Sequence, residues 1–116
     1  MINYTKLDPD QCEFLAIASV DDLPNGERMF VEIDGDEIVI FNIGGAFFAI
    51  ADVCSHDNGP LGDGDLEDTY EIACPRHGAR FDVRNGEVRS YPGVENIPAY
   101  PVRVNEDREI ELGLPR

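Results

Sequence analysis

Short apolar runs alternate with turn residues along most of this chain, which is the pattern of half-buried β-strands. In Arg28–Ile33 alternate residues are apolar, and the Asp34-Gly35 pair that follows predicts a tight hairpin turn into Glu37–Ile43. Few segments could accommodate a long amphipathic helix. The other predicted strands are Phe14–Ser19, Ala46–Ala51, Tyr70–Ala73, Arg80–Val83, Glu87–Arg89, Ala99–Val104 and Arg108–Leu112.

Glycine, proline, asparagine and aspartate mark the connections between these strands. Gly44-Gly45 predicts a second tight turn, Asn85-Gly86 predicts a type I′ turn, and Val53–Thr69 and Ser90–Ile97 are predicted to be loops. Regularly spaced short strands are typical of an antiparallel β-sandwich or small barrel. With 116 residues, we expect one all-β domain over 1–116. Residues 53–93 are expected to form a ligand-binding subdomain on hairpin tips, and the remainder a base sheet.

Composition and charge narrow the function. The formal net charge of −15 argues against binding to nucleic acid or to anionic membrane surfaces. No apolar run reaches the ~18 residues of a membrane span, and the first residues lack a secretory leader. We therefore expect a soluble, cytoplasmic protein. The odd number of cysteines fits a reducing compartment, with Cys12 expected to be an inert, partly buried thiol.

The charge is unevenly distributed along the chain. Residues 1–72 contain 17 of the 24 acidic side chains and two of the nine basic ones. Two interpretations of the basic residues in the second part remain open: they form a patch that orients a docking partner, or they are strand-face arginines paired with neighbouring acids. The arginines concerned are Arg76, Arg80, Arg84 and Arg89.

The chemistry concentrates in two short segments. The only two histidines each lie beside a cysteine, as Cys54-x-His56 and Cys74-x-x-His77, with seventeen residues between His56 and Cys74. Two thiolates and two imidazoles, each pair following a predicted strand, form a donor set for a metal or an iron–sulfur cluster. A structural zinc site is the alternative, although the spacing differs from common zinc motifs.

Other kinds of site find little support. Both histidines belong to the donor set, so no histidine remains for acid–base catalysis. The neighbouring carboxylates Asp63 and Asp65 are interpreted as solvated loop acids and not as a catalytic pair.

The spacing of these cysteines and histidines resembles that of the Rieske-type [2Fe–2S] proteins. Their motif is Cys-x-His, a spacer, and Cys-x-x-His-Gly, carried here by Cys54, His56, Cys74, His77 and Gly78. Further matching stretches are Pro60-Leu61, Gly64, Phe81-Asp82, Asn85-Gly86 and Tyr91-Pro92-Gly93, the last of which resembles the proline loop that covers the cluster.

The resemblance implies one [2Fe–2S] cluster. Cys54 and Cys74 would ligate its inner iron, and His56 and His77 its outer, solvent-side iron. The resemblance further implies a one-electron carrier and not a catalyst. Its partners would be a flavoprotein NAD(P)H-dependent ferredoxin reductase and a terminal, ring-hydroxylating-type oxygenase.

Departures from the respiratory and photosynthetic branch place the chain within the family. That branch has an extra disulfide pair, where Gly59 and Arg76 stand here, and a Ser and a Tyr that donate hydrogen bonds to sulfur, where Ala79 and Phe81 stand. Fewer donors to sulfur imply a low potential within the Rieske range of roughly −150 to +300 mV. We therefore expect a soluble, oxygenase-type ferredoxin. A small subunit of a larger enzyme such as nitrite reductase, or an accessory redox protein, remains an alternative.

Overall fold

The computed structural model describes residues 8–54, 59–67, 70–75, 78–90 and 95–115, and most of these residues lie in β-strands. Two 3-10 turns, Pro9–Gln11 and Val20–Asp22, are the helical elements of these ranges. The strands are β1 (Cys12–Ser19), β2 (Arg28–Ile33), β3 (Asp36–Ile43), β4 (Ala46–Ala51), β5 (Leu66–Glu67), β6 (Glu71–Ala73), β7 (Arg80–Asp82), β8 (Val88–Ser90), β9 (Ala99–Tyr100), β10 (Val102–Val104) and β11 (Glu109–Pro115).

The strands form three antiparallel sheets. The outer sheet has the order β1-β11-β10, the middle sheet β2-β3-β4-β9, and the loop-bearing sheet β5-β6-β7-β8. The all-β, antiparallel architecture expected from the sequence is therefore confirmed. The prediction of a single base sheet was wrong, because the base consists of the outer and middle sheets packed on each other.

The middle sheet is buried on both faces. Consecutive side chains of a strand point to opposite faces, and Ile38, Val39, Ile40 and Phe41 of β3 are all at most 1% exposed. Val39 and Phe41 belong to one hydrophobic core, which also contains residues of the loop-bearing sheet. Ile38 and Ile40 belong to a second core, which β11 completes. We call these the site core and the base core, and the middle sheet separates them.

A proline divides the strand that the sequence predicted over Ala99–Val104. β9 pairs with β4 of the middle sheet, whereas β10 pairs with β11 of the outer sheet. Pro101 lies between them, and its carbonyl accepts a hydrogen bond from the Gly113 N–H at 2.8 Å. Because proline has no N–H to donate, continuous pairing ends at this residue and the chain crosses between sheets.

Two of the three predicted tight turns are confirmed. Asp34 and Gly35 have φ of 52° and 86°, and Gly44 and Gly45 have φ of 67° and 93°, the left-handed values that a type I′ turn requires.

The prediction of a type I′ turn at Asn85-Gly86 was wrong. Gly86 has a φ of 77°, but Asn85 does not share the left-handed conformation. Residues 83–86 form a longer loop, in which the Gly86 N–H donates to the Asp82 carbonyl at 2.7 Å. The Asp82 carboxylate also accepts the Arg84 N–H at 2.8 Å, and this local bond favours the wider turn.

The predicted loop over Val53–Thr69 contains one short strand. Leu66 and Glu67 pair with Ile72 and Glu71, so β5 forms an edge of the loop-bearing sheet. The partly buried Leu66 packs against the site core, which stabilises this pairing although the surrounding sequence favours turns.

Pairing partners distant in the sequence shift several strand ends. β1 begins at Cys12, two residues before the predicted start, because Cys12 pairs with Pro115 of a longer β11. Pro24, Pro98 and Pro101 all lie outside the strand interiors, as predicted.

Candidate iron–sulfur site

Two cysteines of the predicted donor set lie at the ends of strands, as expected. Cys54 follows β4 and Cys74 directly follows β6. Cys54 is 0% and Cys74 2% exposed, and both belong to the site core. Neither forms a disulfide bond. The fold therefore brings two thiols from separate loops into one apolar region, which suits soft donors to a buried metal group.

Both cysteine loops close through the same backbone contact. The Cys54 N–H donates to the Gly59 carbonyl at 2.8 Å, and the Cys74 N–H donates to the Ala79 carbonyl at 2.7 Å. In each case the acceptor is five residues after the cysteine. The sequence places His56 within the first closed loop and His77 within the second. Both histidines lie outside the described residues, as do Arg76 and the Tyr91-Pro92-Gly93 stretch.

The second loop has an additional closing bond. The Gly78 N–H donates to the Cys74 carbonyl at 2.9 Å, and Gly78 has a φ of 77°. Left-handed backbone favours glycine because it carries no Cβ. The left-handed backbone at Gly78 therefore explains why a glycine suits the last position of the Cys-x-x-His-Gly motif.

No hydroxyl is present at the two positions where the respiratory branch has Ser and Tyr. Ala79 and Phe81 are both fully buried, and both belong to the site core with the two cysteines. Neither side chain can donate a hydrogen bond to sulfur.

Two charged side chains, one on β2 and one directly after β4, hold the segment that follows the first loop, and the sequence analysis missed both. Asp52 accepts hydrogen bonds from the Leu61 N–H at 2.8 Å and the Gly62 N–H at 2.5 Å. Arg28 of β2 donates to the Gly62 carbonyl at 2.5 Å and the Gly64 carbonyl at 2.6 Å. Because Arg28 is more than thirty residues from its partners, no local motif could reveal it.

The described arginines of the basic group are paired with acids. Arg80 lies 3.4 Å from Glu71, and Arg84 and Arg89 lie 2.8 and 3.0 Å from the Asp82 carboxylate. The paired-arginine interpretation is therefore confirmed for these three residues. Asp63 and Asp65 are exposed, as predicted for solvated loop acids.

Asp82 is the buried centre of this ion-pair group. Burial alone raises the pKa of its carboxyl. Hydrogen bonds from Arg84 and Arg89 outweigh burial and lower the pKa from 3.8 to about 2. Asp82 is therefore ionised at neutral pH. It lies at the end of β7 away from the cysteine loops, so it stabilises the loop-bearing sheet and not the donor set directly.

Comparison with known proteins decides the family. The family model for the Rieske [2Fe–2S] domain matches residues 13–101. The chain belongs to the Rieske [2Fe–2S] domain family. Its cofactor is accordingly one [2Fe–2S] cluster, and the two buried thiols of the site core fit the sulfur donors that such a group requires. This result removes the reason for the zinc alternative.

Similar proteins are ferredoxin components of dioxygenases. The biphenyl dioxygenase ferredoxin subunit of Pseudomonas sp. (strain KKS102) is 37% identical over 103 residues, which are 89% of this chain and 94% of the relative. The ferredoxin of carbazole 1,9a-dioxygenase from Nocardioides aromaticivorans IC177 aligns with a TM-score of 0.79 and 36% identity, covering 89% of this chain and 98% of that one. These Rieske proteins are electron-transfer components.

Two further structures bear on partners and on fold. In a complex of reduced oxygenase and oxidized ferredoxin of carbazole 1,9a-dioxygenase, the matching chain has a TM-score of 0.78 and 29% identity, over 86% of this chain and 92% of that one. A protein described as an NADH-dependent nitrite reductase small subunit from Mycobacterium tuberculosis has a TM-score of 0.79 at 21% identity, over 90% and 97% of the two chains. The second likeness concerns the fold alone.

Among the described residues, the structure contains no helix with the length and apolarity needed to cross a membrane.

Proposed function

We propose that Cys54, His56, Cys74 and His77 hold the [2Fe–2S] cluster, and that this protein carries single electrons from a flavoprotein NAD(P)H-dependent reductase to a terminal, ring-hydroxylating-type oxygenase. One observation carries the proposal: Cys54 and Cys74, both buried in the site core, close their loops through equivalent backbone hydrogen bonds. Each closed loop includes one of the only two histidines of the chain.

The chain's own residues have distinct parts in this function. When bound, the cluster accepts and releases one electron and offers no open position to a substrate. Cys54 and Cys74 supply its thiolates from within the apolar site core, away from water. Their backbone N–H groups are already bonded within the loops, which restrains the main chain that carries each thiol.

We propose a low reduction potential. Hydrogen bonds to the sulfur atoms favour the reduced, more negative cluster, so their absence lowers the potential. The buried Ala79 and Phe81 supply none. We expect a midpoint in the lower part of the Rieske range, near −150 to 0 mV as an order of magnitude. A redox titration followed by visible spectroscopy measures it, and a midpoint above about +100 mV would contradict the proposal.

The oxygenase partner is proposed from the relatives. The relative from strain KKS102 is the ferredoxin subunit of biphenyl dioxygenase, and a similar ferredoxin occurs in complex with its oxygenase. The reductase is proposed from the chemistry, because a one-electron carrier requires a donor that splits the electron pair of NAD(P)H, as a flavin does. We propose a cytoplasmic location for the same reason, since NAD(P)H is available there.

A reconstituted assay tests the electron path. The cluster-loaded chain is combined with a ferredoxin reductase and a ring-hydroxylating oxygenase, and NADH consumption and hydroxylated product are measured. We expect both to depend on this chain. His56→Ala and His77→Ala should lose the Rieske spectrum and the coupling together. A normal spectrum and midpoint in His77→Ala would overturn the ligand assignment, whereas a normal holoprotein without coupling would overturn the partners.

A charge reversal tests whether the basic group contacts a partner. Arg80 lies on β7 of the loop-bearing sheet, and its side chain is partly exposed and pairs with Glu71 at 3.4 Å. Arg80→Glu should slow reduction of the holoprotein at low ionic strength and leave its spectrum unchanged. Arg103→Glu on the outer sheet is the control. Equal rates for Arg80→Glu and the wild type at low salt would count against docking at this face.

A further inference from the structure

The segment Leu61–Asp65 lies at the end of the first cysteine loop and is held on two sides by opposite charges. Asp52, which follows β4, accepts the N–H groups of Leu61 and Gly62 at 2.8 and 2.5 Å. Arg28 donates from one terminal nitrogen to the carbonyls of Gly62 and Gly64 at 2.5 and 2.6 Å. The anion thus binds the donor side of this segment, and the cation binds its acceptor side.

The same segment packs against the strand that leads into the second cysteine. The Ala73 N–H donates to the Asp65 carbonyl at 3.0 Å. A Cβ on Gly64 would lie 1.8 Å from the Ala73 carbonyl oxygen, so the two backbones are in direct contact. Residues of the segment and of the second loop also line one cleft of about 360 Å³, to which Asp63, Gly64, Asp65, Cys74, Pro75 and Gly78 contribute.

We propose that Arg28 and Asp52 are positioning residues that fix the first cysteine loop against the second, and thereby retain the [2Fe–2S] cluster and set its potential. This inference rests on the proposed ligand set. Neither side chain belongs to that set, and both act through the Leu61–Asp65 segment. Arg28 reaches the segment from β2, and Asp52 reaches it from the position directly after β4, so both side chains tie the segment to the middle sheet.

The physical basis is the strength of hydrogen bonds to charged groups. Such bonds are roughly twice as strong as neutral ones, and here four of them converge on one short segment. The Arg28 guanidinium also lies 5.2 Å from the centre of the Phe41 ring, which belongs to the site core. This cation–π contact helps to hold the guanidinium in the orientation in which it donates to the two carbonyls.

Arg28→Met tests the cation, because it keeps an apolar stem and removes the donors and the charge. With cluster-loaded full-length protein, we expect about tenfold faster loss of the visible spectrum to an iron chelator. Deuterium uptake by the peptide covering residues 59–67 should rise, and the midpoint potential should fall, because removing a positive charge disfavours the added electron. Arg28→Lys should keep the potential and recover part of the lifetime, which separates charge from geometry.

Arg103→Met is the matched control. Arg103 also stacks on an aromatic ring, 3.9 Å from the centre of Phe14, and bonds one acid, Glu111, at 2.6 Å, but it lies on the outer sheet. The proposal requires that this variant change neither chelator loss nor the midpoint. Equal effects of the two arginine variants, or no change in Arg28→Met, would overturn it.

Asp52 gives an independent test if Arg28→Met does not yield loaded protein. Asp52→Asn keeps an oxygen that can accept both N–H groups, whereas Asp52→Ala removes it. We expect rapid chelator loss in Asp52→Ala and near-normal loss in Asp52→Asn, and equal lifetimes of Asp52→Ala and wild type would overturn the proposal. Failure of the ligand set is distinguishable, because it would show as a normal spectrum in the histidine variants whatever happens here.

Discussion

The two cysteine loops close in the same way but are held in place differently. The second loop, residues 74–79, is closed by its own backbone through the Cys74–Ala79 and Gly78–Cys74 hydrogen bonds and by the left-handed Gly78. The first loop shares one such bond, but its continuation is held by Asp52, which follows β4, and by Arg28 of β2. The second loop is thus held by its own backbone, whereas the first also depends on two side chains outside it, of which Arg28 is more than thirty residues away in the sequence.

This difference predicts which substitutions should displace each loop. A locally closed loop tolerates changes elsewhere in the fold but depends on its glycine. A loop held by distant side chains depends on the sheet beneath it, and a substitution far away in the sequence can displace it. The two loops should respond alike only where they share a role, which is the cysteine itself.

The largest expected effect tests that shared role. Cys54→Ala and Cys74→Ala should each abolish the [2Fe–2S] spectrum, because each removes a thiolate that no neighbouring side chain of the described residues replaces. Iron and labile sulfide analysis with visible spectroscopy measures the loss. Cys12→Ala is the control, since Cys12 is equally buried but belongs to neither loop. A normal cluster in either loop variant, or loss in Cys12→Ala, would contradict the shared role.

The next largest effect is expected from substituting one glycine in or beside each loop, and it compares how fast the two variants lose the cluster. Gly64→Ala would place a methyl group 1.8 Å from the Ala73 carbonyl oxygen, so backbone must move, at a cost of roughly 1–3 kcal/mol or more. Gly78→Ala meets no atom within 4 Å and bears only the left-handed strain of about 1–2 kcal/mol. We expect faster cluster loss to a chelator in both variants, with Gly64→Ala the faster.

Gly44→Ala provides the matched control for backbone strain. Gly44 has a φ of 67° and open space around it, as Gly78 has, but it lies in the β3–β4 turn. Urea unfolding should give similar losses of stability for Gly44→Ala and Gly78→Ala, while only Gly78→Ala accelerates cluster loss. If Gly44→Ala accelerated it equally, the loop effect would be mere global destabilisation.

The sequence predicted what is encoded locally. Arg28–Ile33 and Ala46–Ala51 were predicted with their observed ends, because a left-handed turn pair bounds each strand at one end: Asp34-Gly35 follows the first, and Gly44-Gly45 precedes the second. The cysteine positions followed for the same reason, since each comes after a recognisable strand. The two histidines of the donor set stay a prediction, as they lie outside the described residues.

What the sequence could not predict depends on contacts between distant residues. The pairing of β1 with β11 joins the two ends of the described chain, and no local sequence pattern predicts it. Arg28 resembled any surface arginine, because its partners are the carbonyls of two glycines more than thirty residues away. The crossing at Pro101 depends on which sheet each side chain faces, a property that the alternation alone leaves open.

A smaller effect concerns the ion pairs at the far end of the loop-bearing sheet. Asp82 has a pKa of about 2, below its ordinary 3.8, so its stabilising contribution is complete above about pH 4 and is lost as the pH falls towards 2. The shift corresponds to about 2 kcal/mol. Asp82→Asn should lower the urea midpoint at pH 7, and the gap to the wild type should narrow between pH 4 and 3, as measured by circular dichroism. A gap independent of pH would mean that the arginine pairs contribute little.

Asp82→Asn also sharpens the comparison between the loops. Its ion pairs with Arg84 and Arg89 hold the turn after β7 and not a cysteine loop. We therefore expect the variant to be less stable but to lose its cluster to a chelator at the wild-type rate, in contrast to Arg28→Met. Faster cluster loss in Asp82→Asn would mean that a change at one end of β7 reaches the second loop at its other end.

The smallest effect concerns the interior of the second loop. Ala79 closes that loop through its carbonyl, and its side chain is fully buried in the site core beside Cys74 and Phe81. Ala79→Ser and Phe81→Tyr would each introduce one O–H. If this donor reaches sulfur, one hydrogen bond of about 0.5–1.5 kcal/mol that favours the reduced state raises the one-electron midpoint by about 20–65 mV. Protein-film voltammetry resolves such a shift. Phe48→Tyr, a partly buried member of the same core on β4, is the control and should leave the midpoint unchanged. A downward shift in Ala79→Ser, or an equal rise in Phe48→Tyr, would show that the potential responds to general polarity and not to a donor placed at the second loop.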